Sequence, residues 1–144
     1  MTIPRRNNED GFTLVELMVV IVILGLLATI VAINVLPATG RANTEKARAD
    51  IATIEQALEM YRLDNLNYPA NTEGLQALVA APPGMGQPQR YRQGGYIKRL
   101  PDDPWGNPYR YVFPGQRSAF DVYSYGADNA EGGEGENADI GNWE

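Results

Sequence analysis

Cysteine and histidine are both missing from this chain of 144 residues. Without cysteine a disulfide framework is excluded, and the redox compartment leaves no mark on the sequence. Without histidine a His-centred catalytic triad is impossible, as is zinc held by Cys or His. Base is absent where acid is dense. From Asp121 to Glu144 there are seven acids (Asp121, Asp128, Glu131, Glu134, Glu136, Asp139, Glu144) and no Lys or Arg, whereas residues 1–120 hold twelve bases against eleven acids. The net charge of −6 is therefore a local excess. It asks for a cation or a basic partner, and nothing in the pattern suggests nucleic acid. Charge of either sign is missing from Leu17 to Leu36, where Thr29 and Asn34 are the only polar side chains.

That run of twenty residues, at the rise of an α-helix, spans roughly 30 Å, the hydrocarbon thickness of a bilayer. Glu16 lies one residue before it, where a carboxylate is costly and needs a partner. A cleaved secretory signal has a shorter apolar core followed by a small-x-small site. Here Arg5 and Arg6 supply the basic region, but the run is too long, and Leu36-Pro37-Ala38-Thr39-Gly40 matches such a site weakly. The break in composition falls before the run, between Gly11 and Phe12. Residues 1–11 read as a removable leader, residues 12–36 as a transmembrane and assembly helix, and residues 37–144 as an exported head. Glycine at position 11 lets the backbone lie extended and close to an enzyme. The two arginines favour a cytoplasmic N-terminus, with the head on the far side.

Beyond Pro37 the pattern becomes amphipathic. Ala47, Ile51, Ile54, Leu58 and Tyr61 mark one helical face, with Lys46, Arg48, Asp50, Glu55, Glu59 and Arg62 elsewhere. Pro37 and Gly40 predict a kink or loosening at the junction, and Gly25 is a second weak point. The helix is expected to end near Asp64-Asn65. A short capped helix is expected over 72–79, stopped by Ala81-Pro82-Pro83-Gly84. Residues 84–95 read as an exposed loop, and 100–108 as proline-rich turns. Tyr109–Phe113 and Phe120–Tyr125, with Pro114-Gly115 between them, predict an antiparallel hairpin. The fold class is α+β: a long N-terminal helix, membrane-spanning in its first half, with a small head containing a short antiparallel sheet. Trp105, Tyr109 and Tyr111 read as packing residues. Arg90, Arg92, Lys98 and Arg99 form a scattered basic surface that could meet the acidic tail of another subunit. No nucleophile–base pair, phosphate loop or carboxylate dyad is present, so the chain does not read as an enzyme.

Gly11-Phe12-Thr13-Leu14-Val15-Glu16 resembles the class III signal of type IV pilins and pseudopilins. That resemblance implies cleavage after Gly11 by a prepilin peptidase, N-methylation of Phe12, and an assembly role for Glu16. Tyr68-Pro69, Thr72-Glu73-Gly74-Leu75, Asp103-Pro104-Trp105-Gly106-Asn107-Pro108-Tyr109, Asp121-Val122-Tyr123-Ser124 and the stretch from Gly126 to Trp143 resemble the major pseudopilins of type II secretion systems. The resemblance runs from Gly11 to Trp143. The implied function is structural: the main subunit of a periplasmic filament that supports export of folded proteins across the outer membrane. The implied partners are copies of itself, minor pseudopilins, the prepilin peptidase, the inner membrane and the secretion machine's inner-membrane platform with its cytoplasmic ATPase. Relatives carry a helix-breaking proline where this chain has Ile33, which leaves the site of a kink open.

The residues from Asp128 to Asp139 lack the EF-hand series, but carboxylates and glycines in one loop suit a hard cation. The resemblance implies Ca²⁺ bound by the side chains of Asp128 and Asp139 and by carbonyls of Tyr125 and Ala130. Some relatives have a further aspartate where this chain has Ala138, so Glu134, Glu136 and Asn137 stand as substitutes. Two other readings remain: a type IV pilus pilin, which would usually carry a C-terminal cysteine pair, and a signal-anchored periplasmic domain binding a cation or ligand. A mobile acidic tail is the plain alternative for the loop, with Trp143 a loose end.

Overall fold

The computed structural model describes residues 11–144; of the expected leader only Gly11 falls among them, and Arg5 and Arg6 lie outside. One long helix, α1 (Leu14–Asn65), comes first. Three short strands follow: β1 (Arg110–Val112), β2 (Asp121–Ser124) and β3 (Ile140–Gly141). The chain forms two units, divided between Ala38 and Thr39.

Among the described residues of the first unit α1 has no side-chain core. Its large apolar residues from Leu14 to Ile33 are all at least half exposed. Its two polar side chains satisfy themselves on the preceding turn: the Thr29 hydroxyl donates to the Gly25 carbonyl at 2.9 Å, and the Asn34 amide donates to the Ile30 carbonyl at 2.8 Å. Among the described residues this is the one helix long and apolar enough to cross a membrane. Helical structure continues through Pro37 and Gly40, where the sequence predicts a kink or loosening.

The second unit has its own core. The face expected from the spacing is the one buried: Ala47, Ile51, Ile54, Leu58 and Tyr61 are all within 4 % of full burial, joined by Ala57. Leu75, Ala77, Leu78, Tyr109, Phe120, Val122 and Ile140 pack against that face. Each fully buried Leu, Ile or Val contributes about 1.5–3 kcal/mol. Tyrosine hydroxyls tie the elements together. Tyr109 donates to Asp50 Oδ2 at 2.9 Å, Tyr68 to Glu59 Oε1 at 2.6 Å, Tyr111 to the Pro69 carbonyl at 2.8 Å and Tyr91 to the Ala77 carbonyl at 2.9 Å.

The expected hairpin is present. β1 and β2 pair antiparallel with Arg110 opposite Tyr123, Tyr111 opposite Val122 and Val112 opposite Asp121. β3 adds to the other edge of β2, with Tyr123 opposite Gly141 and Ser124 opposite Ile140. The sequence reading did not foresee β3. Two residues give no periodic signal, and the pairing is completed by a side chain. Asn142 accepts the Val122 N–H on Oδ1 at 3.0 Å, donates its own N–H to the Val122 carbonyl at 3.1 Å, and donates its amide to the Phe120 carbonyl at 2.9 Å.

The capped helix expected over 72–79 is corrected to a turn and a short 3₁₀ helix, Gly74–Leu78. Gly74 has φ +62°, a left-handed conformation that an α-helix cannot include. The Glu73 carboxylate instead accepts the Ala70 N–H at 3.0 Å and closes the turn. The loop over 84–95 is largely irregular as expected, with one 3₁₀ turn at Pro88–Arg90.

Candidate functional site

Two regions carry the residues singled out from the sequence. At the start of α1, Gly11, Phe12 and Thr13 lie outside helical structure, and Phe12 is 90 % exposed. The Gly11–Phe12 bond therefore sits in non-helical, accessible chain, the form a peptidase can grip. Helix begins at Leu14 because Thr13 and Glu16 cap it reciprocally. The Glu16 N–H donates to Thr13 Oγ1 at 3.2 Å, while the Thr13 N–H and hydroxyl donate to Glu16 Oε2 at 2.9 and 3.2 Å. This Thr-x-x-Glu box satisfies amide donors that would otherwise face lipid, and it places a negative charge at the positive end of the helix dipole. Glu16, an acid that the sequence marks as needing a partner, finds Thr13 within its own first turn. The Thr-x-x-Glu spacing is itself the local signal of that cap.

The acidic loop is closed at its neck by the Ala127 N–H, which donates to the Glu136 carbonyl at 2.8 Å. Gly126, at φ +75°, permits that approach; a Cβ there would lie 2.6 Å from the Glu136 carbonyl oxygen. Inside the loop Asp128 Oδ1 accepts the Ala130 N–H at 3.2 Å. Both oxygens of Asp139 accept the Gly132 N–H, at 3.0 and 3.1 Å. Asp128 is exposed and Asp139 half-buried. Among the described residues no three Asp or Glu side chains converge as a metal cluster. The donor chemistry nonetheless fits a hard cation, because residues 126–139 offer oxygen donors only and no competing base.

Trp143 is not loose. Its ring packs over Gly141 and lies 5.7 Å from the Tyr123 ring, with the Arg117 guanidinium 4.2 Å above it. Arg110 covers Tyr125 in the same way at 4.5 Å. Arg117, Tyr123, Tyr125 and Trp143 line a cavity of about 270 Å³ together with Asp121, Glu131 and Asp139. The buried Asp121 carboxylate orders the hairpin loop by accepting the N–H groups of Gln116 at 2.7 Å, Arg117 at 3.2 Å and Ser118 at 3.0 Å. Asp121, Asn142 and the two arginines escaped the sequence reading, since their partners are distant in the chain or are backbone groups.

An apolar helix opening on a capping box just after a glycine, and leading into a small α+β head, defines the class of pilin-like, membrane-anchored subunits. The comparisons agree. Residues 6–32 match the family model of the prokaryotic N-terminal methylation motif, and residues 34–143 match that of type II secretion system protein G. The chain is 53 % identical over 139 residues to the type II secretion system core protein G of Vibrio cholerae, covering 96 % of this chain and 94 % of that one. It is 51 % identical over 140 residues to the core protein G of Pseudomonas aeruginosa, covering 97 % and 99 %. A crystal structure of the major pseudopilin of enterohaemorrhagic Escherichia coli matches with a TM-score of 0.66 at 44 % identity, over 76 % of this chain and 90 % of that one. The chain belongs to the type II secretion system protein G family, the major pseudopilins. It is a structural subunit of the secretion system and not an enzyme. Family and apolar helix together make it an inner-membrane-anchored, periplasm-facing protein.

Proposed function

We propose that residues 1–11 are removed as a leader by cleavage after Gly11, that the new terminal Phe12 is N-methylated, and that residues 12–36 hold the chain in the inner membrane until it is extracted into a periplasmic homopolymer. Residues 37–144 form the head on the periplasmic side, with the N-terminus cytoplasmic. The prepilin peptidase carries out the processing, while minor pseudopilins, the inner-membrane platform and its ATPase work with the filament.

The observation that carries this reading is the exposed, non-helical Gly11-Phe12 segment immediately before the Thr13–Glu16 cap. The cap leaves one carboxylate at the head of an uncharged apolar run, where insertion of an acid costs about 2.5–3.5 kcal/mol at mid-membrane depth. The ammonium of Phe12 on a neighbouring copy offsets that cost and sets the axial register. Mass spectrometry of the mature N-terminus is the test. The expected product begins at Phe12 and carries one methyl group. Gly11→Val should leave the full-length form in the membrane, because a β-branched side chain stiffens the scissile backbone. Glu16→Ala should be cleaved normally and fail to form filaments. Normal filaments from Glu16→Ala would reduce Glu16 to a helix cap.

Ca²⁺ is the cation that the head's acidic loop would hold, through the carboxylates of Asp128 and Asp139 and the carbonyls of Tyr125 and Ala130. When bound, it neutralises a segment that otherwise repels itself. The chain's own contribution is a closed neck at Ala127 and Glu136, which keeps the two aspartates in one short loop.

A further inference from the structure

We propose that the exposed apolar face at the C-terminal end of α1, formed by Met60, Leu63 and Leu66 and edged by Arg90 and Arg92, docks the acidic loop of a second copy of this chain. The inference rests on the filament reading above and names the surface that a neighbouring head occupies.

The opposite face of α1 is buried in the core, yet Met60, Leu63 and Leu66 stand 44 %, 70 % and 69 % exposed at intervals of three residues. Leu66 is the more telling of them. It follows the helix with φ +69°, and its N–H donates to the Arg62 carbonyl at 2.7 Å. Gly or Asn normally fills that left-handed position, because a side chain there is strained. A leucine accepts the strain and buries little within its own chain. Its side chain therefore serves a contact beyond this molecule.

The basic edge is available. Leu66 and Arg90 line one concavity of about 380 Å³, and Arg92 reaches the Met60 sulfur at 3.7 Å. Among the described residues Arg90, Lys98 and Arg99 make no ion pair, and Arg92 pairs only with the half-exposed Asp64 at 3.3 Å. The complementary charge sits at the other end of the same head. The Glu136 side chain lies against Gly40, and the neighbouring Glu131 and Glu134 are exposed and make no ion pair among the described residues.

From Gly40 to Asn65 the helix rises roughly 37 Å, too far for Glu134 to reach Arg90 within one chain. The pairing must be between copies. A face-to-face dimer would set Arg90 and Arg92 against their own kind, which is disfavoured. Joining two different patches instead gives a head-to-tail contact that need not close, the symmetry of a filament.

The test uses the full-length chain, produced with its secretion machinery. Because the chain has no cysteine, introduced thiols report one contact only. Two copies, one with Leu66→Cys and one with Glu134→Cys, should form a disulfide dimer in sheared filaments when both are present, and none when either is alone. Arg90→Glu should lower filament yield at least tenfold, and Glu134→Arg in the same chain should restore it. Leu66→Gly relieves the backbone, so the head should melt no lower than native while filament yield falls. Intact filaments without the cross-link overturn the inference, whatever the variants yield, and leave the family reading standing. Failure of the native chain to form any filament removes both.

Discussion

The two halves of α1 reach stability by opposite routes. From Leu14 to Ile33 the helix shows its large apolar side chains on every side, and its few polar groups are satisfied locally, through the Thr13–Glu16 cap and the back-bonds of Thr29 and Asn34. From Thr39 on, the same helix buries one stripe against the sheet and loops, and beside local pairs some of its polar residues bond outside the helix, as Asp50 does with Tyr109 and Glu59 with Tyr68. A segment that is completed by lipid or by other copies needs uniformity and self-sufficiency. A segment that is completed by its own fold needs periodicity and specific partners. Only the second half makes stability that a melting curve of the isolated molecule can read.

The largest test of that contrast is a matched pair of truncations. Leu58→Ala should lower head stability by about 2–5 kcal/mol, because it empties a fully buried site. Leu24→Ala removes the same atoms from an exposed position and should leave the head's melting curve unchanged. Equal losses would mean that the two halves melt as one.

Calcium sharpens the contrast further, because it should act on the second unit alone. With the protein purified in detergent, a hundredfold excess of Ca²⁺ over Kd should raise head stability by about 2.7 kcal/mol. Asp128→Ala should remove that increment, and so should Asp139→Ala, whereas Glu144→Ala should keep it. Asp139→Ala should also lower stability without the ion, since it releases the Gly132 N–H. Mg²⁺ should substitute poorly, as it demands a tighter octahedron. A melting temperature indifferent to Ca²⁺ would leave the loop as an acidic surface.

Thr13→Val probes the first unit by a smaller effect. Loss of the capping hydroxyl should cost about 0.5–2 kcal/mol of helix start. Hydrogen exchange at the amides of Leu14 to Leu17 should quicken, with no change in the head.

The smallest effect near neutral pH comes from the head's tyrosines. Burial, then the nearby charge of Glu73 and the neighbouring tyrosines, pushes Tyr61 up to about 12. Burial followed by its bond to Glu59 raises Tyr68, and burial followed by its bond to Asp50 raises Tyr109. The fold favours their neutral forms. Their contribution is therefore fully present below about pH 10, the ordinary tyrosine value, and is lost as pH climbs through the raised values. Melting temperature should be flat from neutral pH to about 10 and then fall steeply. A fall that began well below that point would need another group.

Sequence by itself determined whatever is periodic or local. The apolar run, the buried stripe from Ala47 to Tyr61, the end of α1 at Asn65 and the hairpin of β1 and β2 all follow from spacing and composition, because each is dictated by neighbours a few residues away. The Thr13–Glu16 cap is equally local, and its spacing spells it out. The tertiary structure decided the rest. β3 exists because Asn142 imitates a strand backbone on Val122, a partner twenty residues off. Gly74, at φ +62°, turned an expected helix into a turn and a 3₁₀ helix, held by bonds that Ala70 makes with Glu73 and Gly74. Trp143 became an anchor only through Gly141, Tyr123 and Arg117. The exposed leucines at the end of α1 are ordinary letters in the sequence. Only the fold, by burying every other large apolar side chain of that half-helix, set them apart.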